Sequence, residues 1–129
     1  MTMVRSMTVL QVSDVKESAA FYRDKLGFTP GRFWGDPPAF CIVGHDTVTI
    51  ALDQSRKEGP IPQNQYWAVY VYVDDIEAVI ADFKERGTEI ARGPEDTVYD
   101  CREIDVADPD GHMLCFAQDL DQQPAGPGL

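Results

Sequence analysis

The chain has 129 residues, of which 43% are hydrophobic, and a formal net charge of −11. Its length fits one domain, or one domain built from two similar halves. The negative charge argues against a nucleic-acid partner, because phosphate binding requires a basic surface. No apolar run reaches the roughly 18 residues of a transmembrane helix, and Met1–Val12 lacks the features of a secretory signal, so no membrane partner is expected. Three cysteines without CxxC spacing favour a reducing cytoplasm over a disulfide scaffold.

The acidic excess is confined to the second half of the chain. Residues 1–65 carry equal numbers of acidic and basic side chains, whereas residues 66–129 carry fifteen acids against four lysines and arginines. A solvated acidic surface that aids solubility is one explanation. The other is an acidic wall around a cationic ligand, and composition does not choose between them.

The first half begins with a predicted strand and helix. A strand over Met7–Val12 leads to Asp14, whose side chain suits a helix N-cap. Gly27 suits the C-terminal end of that helix. The helix face is marked by apolar residues at steps of three and four, namely Val15, Ala19, Tyr22 and Leu26. A loop rich in glycine and proline follows and carries Phe33 and Trp34.

A hairpin and a linker complete the first half. Short strands are predicted over Ala39–Val43 and Thr47–Leu52, joined by a turn at Gly44-His45-Asp46. Polar residues with interspersed glycine and proline then predict a linker over residues 54–64. The first half therefore reads as a strand, a helix and further short strands.

The same order recurs with a period of about sixty residues. A strand over Trp67–Val73 precedes a helix that is capped by Asp74 or Asp75 and closed by Gly87, and a short segment at Thr88–Ala91 follows. The remaining elements are a strand from about Val98 to Val106, a turn at Asp108-Pro109-Asp110-Gly111 and a strand over His112–Ala117.

These elements predict an α+β fold of two βαβββ modules in a single domain over residues 1–118. Module one spans about residues 5–53 and module two about residues 65–118, with the linker between them. Residues 119–129 are rich in proline, glycine and glutamine and predict a flexible tail.

Strand alternation divides each sheet into a face against the helices and an opposite face. Val69, Val71 and Val73 are expected to pack on the helices. The residues expected on the opposite face are Met7, Val9, Gln11, Thr47, Thr49, Ala51, Ala68, Tyr70, Tyr72, Cys101, Glu103, Asp105, Met113, Cys115 and Ala117. A sheet that faces bulk water rarely collects so many apolar and aromatic side chains, whereas a concave sheet around a cavity does.

Short motifs in the two halves occur in an order that resembles one protein family. The motifs are Val12-Ser13-Asp14-Val15, Ser18-Ala19-Ala20-Phe21-Tyr22, Leu26-Gly27-Phe28, Val71-Tyr72-Val73-Asp74-Asp75, Arg102-Glu103 and Asp108-Pro109-Asp110-Gly111-His112. They resemble the vicinal-oxygen-chelate superfamily, which includes glyoxalases, extradiol dioxygenases, fosfomycin-resistance enzymes and bleomycin-resistance proteins. The resemblance covers about residues 5–118 and implies modules whose sheets curve into a half-open barrel.

In the metal-dependent members of that superfamily, four strand positions carry His or carboxylate ligands. Carried onto this sequence, the positions fall on Met7, Ala51, Ala68 and Cys115. None of these is His or Glu, so neither a metal nor another cofactor is expected. His45 and His112 are both expected to be surface turn residues. Cys115 and Cys101 are expected to be inert buried thiols, because their acidic surroundings do not favour a thiolate.

A lined cavity without a metal resembles the bleomycin-resistance branch, which sequesters a bulky cationic drug and catalyses nothing. The predicted ligand-binding residues are Phe33, Trp34, Phe40, Trp67, Tyr70, Tyr72, Tyr99, Glu103, Met113 and Cys115, and no catalytic residue is predicted. Glu103 and Asp105 favour a cationic or polar aromatic small-molecule ligand, such as an antibiotic. A homodimer is also expected, because a monomer would expose the apolar loop.

Two other functions stay open at this stage. One is a lyase or dioxygenase-type enzyme of the same superfamily with a non-standard metal site. The other is a partner-binding domain of a larger assembly. An element-specific metal assay on the purified protein separates the metal-free binding protein from the metalloenzyme.

Overall fold

The computed structural model describes residues 1–121, which form two helices and eight strands. The first five elements are β1 (Thr8–Val12), α1 (Val15–Leu26), β2 (Thr29–Pro30), β3 (Phe40–His45) and β4 (Val48–Gln54). The others are β5 (Val69–Tyr72), α2 (Ile76–Glu85), β6 (Arg92–Asp96), β7 (Cys101–Ala107) and β8 (Met113–Asp119). Neither helix is long and apolar enough to cross a membrane. The boundary predicted for the tail, at residue 119, is too early, because Asp119 belongs to β8 and the Leu120 backbone N–H donates to the Asp100 carbonyl at 2.8 Å. Residues 122–129 of the predicted tail lie outside the described residues.

The elements form two compact units, each with one four-stranded sheet and one helix. The first unit contains Met1–Gln63 and Asp108–Gly111, and its strands lie in the order β1-β4-β3-β2. The second contains Asn64–Ala107 and the chain from His112 onward, in the order β5-β8-β7-β6. In both sheets the first strand is parallel to the last strand of its module. The predicted α+β fold with two βαβββ modules is confirmed.

Both predicted helix N-caps are confirmed. The Asp14 side chain accepts hydrogen bonds from the backbone N–H groups of Lys16 and Glu17, each at 3.1 Å. In the second unit Asp75, rather than Asp74, accepts one from Ala78 at 3.1 Å. These carboxylates satisfy N–H groups that have no partner within the helix.

A second capping contact, which sequence analysis did not identify, occurs in both modules. The Gln54 side chain accepts a hydrogen bond from the backbone N–H of Val15 at 2.9 Å. In the second module the Gln118 side chain does the same for Ile76, also at 2.9 Å. Each glutamine comes from the last strand of its module, so that strand holds the beginning of the helix in place.

The first hairpin turns later than the sequence predicted. Gly44 and His45 belong to β3, where they pair with Thr49 and Val48, and the turn consists of Asp46 and Thr47. Asp46 has a positive φ of 52°, a conformation that aspartate tolerates better than most residues. The glycine signal was therefore misleading, because Gly44 fits within the strand.

The segment before β7 also differs from the sequence prediction. The strand lies at Arg92–Asp96, not at Thr88–Ala91, and β7 begins at Cys101, not near Val98. Gly93-Pro94 conceals this strand in the sequence, since proline lacks a backbone N–H. Proline is accommodated here because β6 lies at the sheet edge and its register with β7 is irregular between Arg92 and Glu95.

The Asp108–Gly111 turn packs with the first unit although it follows β7. The Tyr22 hydroxyl donates a hydrogen bond to the Asp108 carboxylate at 2.9 Å, and both residues are buried. The Asp110 carboxylate accepts hydrogen bonds from the backbone N–H of Ser13 at 3.1 and 3.2 Å. His112, which follows this turn, is only 6% exposed. The expectation that it is a surface residue is wrong, because the chain enters the core with β8 at this point.

Candidate functional site

Three aromatic rings lie side by side at the start of the second unit, and we call them the aromatic strip (Trp67, Tyr70 and Tyr72). The ring centroids of Trp67 and Tyr70 are 5.0 Å apart, and those of Tyr70 and Tyr72 are 5.1 Å apart. Both pairs have edge-to-face geometry, with interplanar angles of 64° and 63°. Val69 and Val71 are buried, as the strand alternation predicted. Tyr72 remains 46% exposed, so the strip offers a ring to solvent.

Two carboxylates of β7 are buried. Glu103 is 0% exposed and Asp105 is 6% exposed. They alternate with the buried apolar residues Ile104 and Val106, so they project from the opposite face of the sheet. Burial of a charged group is costly unless it is paired and hydrogen-bonded. The side chains that solvate these two carboxylates are therefore the central feature of the site.

Aromatic side chains supply three of the hydrogen bonds to these carboxylates. The hydroxyls of Tyr70 and Tyr99 both donate to Oε2 of Glu103, each at 2.6 Å. The indole N–H of Trp67 donates to Oδ1 of Asp105 at 3.1 Å. Two members of the aromatic strip are thus tied to the carboxylates, which fixes the orientation of their rings.

Arg92, from the edge strand β6, supplies the counter-charge. Its Nη2 donates to Oε1 of Glu103 at 2.5 Å, and its Nε donates to Oδ2 of Asp105 at 2.7 Å. The same guanidinium also contacts the half-exposed carboxylate of Glu95. Three carboxylates share one guanidinium, so this cluster keeps an excess of negative formal charge.

The proton affinities in the cluster follow from this geometry. Burial, and then the hydrogen bond to Glu103, raises the pKa of Tyr70 well above its ordinary value. The same causes raise the pKa of Tyr99 to about 12. The hydrogen bond to Asp105 is the main cause of a raised pKa for Arg92. At neutral pH the phenols therefore remain donors and the guanidinium remains charged.

The two cysteines in this unit are shielded. Cys101 and Cys115 form a small buried cluster with Ala117, against which Trp67 and Tyr70 pack. Burial, followed by the charges of Glu103 and Asp105, raises the pKa of Cys115 well above that of a free thiol. Burial also raises the pKa of Cys101. A thiol that holds its proton is a poor nucleophile and a poor metal ligand.

The structure brings together only some of the predicted ligand-binding residues. In the second unit the residues that lie at or against the buried carboxylates are Trp67, Tyr70, Tyr72, Tyr99, Glu103 and Cys115. Met113 is also in this unit and is half-buried, and its backbone carbonyl accepts a hydrogen bond from the backbone N–H of Ala68. The first unit contains Phe33, Trp34 and Phe40. The backbones of Trp34 and Phe40 form an isolated antiparallel bridge, and the Arg32 guanidinium lies over the Trp34 ring, 3.5 Å from the ring centroid.

Arg92 is the main residue that sequence analysis missed in this cluster. Its strand was not recognised, so the side on which it lies could not be read from alternation. The only available signal was the pair of acidic residues alternating on β7, which implies a buried cation near them. Arg102, by contrast, alternates with Glu103 along β7 and pairs with the exposed carboxylates of Glu77 and Asp96.

The positions that carry metal ligands in related metalloenzymes do not fit a metal here. Ala51 and Ala68 have no donor atoms, and the Cys115 thiol is buried and protonated. Among residues 1–121, no three His, Cys, Asp or Glu side chains are grouped so as to hold a metal ion. The two buried carboxylates are instead bonded to a guanidinium.

A family model described as the Glyoxalase/Bleomycin resistance protein/Dioxygenase superfamily matches residues 5–116. The chain belongs to this superfamily. A metallothiol transferase FosB from Staphylococcus epidermidis is 30% identical over 112 residues, a match that covers 80% of this chain and 72% of that protein.

Solved structures show the same fold at lower identity. A glyoxalase-related enzyme from Clostridium phytofermentans has a TM-score of 0.75 and 16% identity, covering 92% of this chain and 97% of its own. TioX from Micromonospora sp. ML1 has a TM-score of 0.73 and 15% identity, and the match covers 92% of this chain and 100% of TioX. A glyoxalase/bleomycin resistance protein/dioxygenase from Nocardioides has a TM-score of 0.69 and 23% identity, and the match covers 98% of this chain and 91% of that protein.

Proposed function

We propose that this superfamily member is a metal-free small-molecule-binding protein that sequesters a bulky, cationic or polar aromatic ligand, such as an antibiotic, without converting it. The observation that carries the proposal is the aromatic strip, in which hydrogen bonds to buried carboxylates hold the rings of Trp67 and Tyr70. Because the rings are ordered before a ligand arrives, little conformational entropy is lost when one stacks on them.

Both chemical features of the ligand follow from this cluster. Each aromatic contact contributes about 0.5–1.5 kcal/mol beyond the area that it buries, and a cation over a ring contributes about 0.5–2 kcal/mol. The excess of carboxylates around Arg92 attracts a cation and repels an anion. The proposed site is therefore selective for charge as well as for flat shape.

The absence of an activated group in this cluster supports binding over catalysis. The phenols of Tyr70 and Tyr99 and the thiol of Cys115 hold their protons at neutral pH. A nucleophile or general base needs a pKa closer to the working pH. Both oxygens of Glu103 are already bonded to the chain's own side chains.

The second candidate is a metal-dependent enzyme of the same superfamily. It is favoured by the 30% identity with a protein described as a metallothiol transferase. It would require a metal bound elsewhere than at Met7, Ala51, Ala68 and Cys115. We also propose a cytoplasmic location, in keeping with three free thiols, and a homodimer, in keeping with the exposure of Phe33 and Trp34.

A thermal-shift screen with matched aromatic amines and aromatic carboxylates, each hit followed by calorimetry, tests the proposal. We expect the amines to raise the melting temperature more than the carboxylates. Tyr72→Ala should weaken binding of the hits about tenfold while preserving the fold, and Tyr66→Ala, an exposed tyrosine outside the strip, is the matched control. Stabilisation by carboxylates alone, or a stoichiometric transition metal found in the purified protein by elemental analysis, would refute the proposal.

A further inference from the structure

We propose that Arg92 is a built-in cation that closes Glu103 and Asp105 to external cations and so determines what this site accepts. The ligand's positive group then binds over the rings and beside Glu95, not in an ion pair with the buried carboxylates. The closure by Arg92 stands independently of the proposed function; only the placing of the ligand's positive group rests on it.

The geometry of the guanidinium is the first argument. Arg92 makes bonds to Glu103 and to Asp105 with adjacent nitrogens, at 2.5 Å and 2.7 Å, and a longer one to Oδ1 of Asp105 at 3.2 Å. The two bonds to Asp105, from Nε and Nη2, form the bidentate mode in which a planar guanidinium binds a carboxylate most strongly. An ammonium group of a ligand would have to displace the Arg92 guanidinium, whose effective concentration is high because it belongs to the same chain as the carboxylates.

The remaining lone pairs of the carboxylates are the second argument. Oε2 of Glu103 accepts from two phenols, and Oδ1 of Asp105 accepts from the Trp67 indole. Glu103 has no exposed surface. Arg92 and the aromatic donors together occupy the oxygens of these two carboxylates. Of the three carboxylates that contact Arg92, only Glu95, whose side chain is half exposed, remains reachable from solvent.

The third argument is the charge that Glu103 and Asp105 would have without Arg92. Two carboxylates on alternate positions of one strand, both nearly buried, would lack compensation if Arg92 were absent. Unpaired buried charges draw in cations or take up protons. Removing only the guanidinium should therefore convert a closed pair into a cation-binding pocket of matching shape.

Methylguanidinium is the probe, and Arg92→Ala is the variant, because this substitution removes the group that the probe replaces. We expect methylguanidinium at millimolar concentration to bind Arg92→Ala at least about tenfold more tightly than the wild type and to raise its melting temperature. Arg102→Ala, which removes an arginine from exposed partners, should show no such gain. Adding Glu103→Gln to Arg92→Ala should abolish the gain.

Arg92→Lys separates charge from space. It keeps a positive charge, so we expect it to bind the probe no better than the wild type. Equal gains for Arg92→Lys and Arg92→Ala would overturn the proposal, as would the absence of any gain in a folded Arg92→Ala protein. If Arg92→Ala does not fold alone, the proposal requires that methylguanidinium restores its circular dichroism spectrum, and failure to do so also overturns it. Aromatic ligands play no part in these measurements, so their outcome is independent of the ligand screen.

Discussion

Replacing Glu103 by glutamine is the sharpest test of the buried network, because the two side chains have the same shape. One oxygen of Glu103 accepts from Arg92, and the other accepts from Tyr70 and Tyr99. A glutamine amide offers one oxygen and one NH2 group. If the glutamine oxygen faces Arg92, the NH2 group faces the hydroxyls of Tyr70 and Tyr99, which must then rotate to accept hydrogen bonds instead of donating them. If the amide is flipped, the NH2 group faces the guanidinium, and two donors are opposed. Either way the negative charge is lost.

The magnitude follows from the number and type of bonds. Hydrogen bonds to a charged group contribute about 1.5–3 kcal/mol each, and removal of one partner of a buried ion pair costs about 3–5 kcal/mol. We expect Glu103→Gln to lower the free energy of unfolding by about 3–5 kcal/mol, since glutamine retains part of the hydrogen bonding. That is a large part of the roughly 5–15 kcal/mol typical of a domain.

Urea denaturation followed by circular dichroism measures this loss as a lower midpoint with an unchanged slope. The control is Glu77→Gln, the same substitution in a carboxylate that pairs with Arg102 but is 65% exposed. Exposed ion pairs contribute little, so its midpoint should stay near that of the wild type. A loss of less than about 1 kcal/mol for Glu103→Gln would refute the claim that the buried network stabilises the fold. Tyr99, whose pKa Glu103 helps to raise to about 12, should ionise at a lower pH in this variant.

Three further results are expected. Gln118→Ala should destabilise the protein by about 1 kcal/mol in urea, because the first N–H of α2 loses its acceptor; no change would mean that the contact is unimportant. Tyr99 has a folded-state pKa above its ordinary value of 10.0, so its stabilising contribution is complete below about pH 10 and is lost as pH rises through about 12. Circular dichroism and denaturation at several alkaline pH values should show this decline. Light scattering at micromolar concentration should show a dimer, whereas a mass near 14.4 kDa would contradict it.

The sequence predicted those features of the fold that depend on local chemistry. Asp14 and Asp75 cap the two helices, and the alternation on β5 assigns Val69 and Tyr70 to opposite faces as observed. A carboxylate before an apolar helix face, and a two-residue period in a strand, are decided by neighbours in the chain. Such signals can be read without knowing the rest of the structure.

The features that escaped prediction depend on pairing between distant segments. Arg92 meets Asp105 because β6 pairs with β7 through an irregular register, which Gly93-Pro94 hides in the sequence. His112 is buried because the chain passes into the core there, although a turn precedes it. The role of Glu103 was interpreted as direct contact with a ligand, and that contact remains a prediction. Its hydrogen bonds indicate a different contribution, since it orders the rings that a ligand would meet.

The bond between Tyr22 and Asp108 sets an order of events during synthesis. These residues are 86 positions apart, so the Tyr22 hydroxyl lacks this carboxylate until Asp108 has left the ribosome. A buried hydroxyl without a partner costs about 1–3 kcal/mol. The first half of the chain, although it holds a complete βαβββ module, therefore reaches its full stability only after most of the second half has been made. A fragment that ends at Gln63 should be measurably less stable than the same segment within the whole protein.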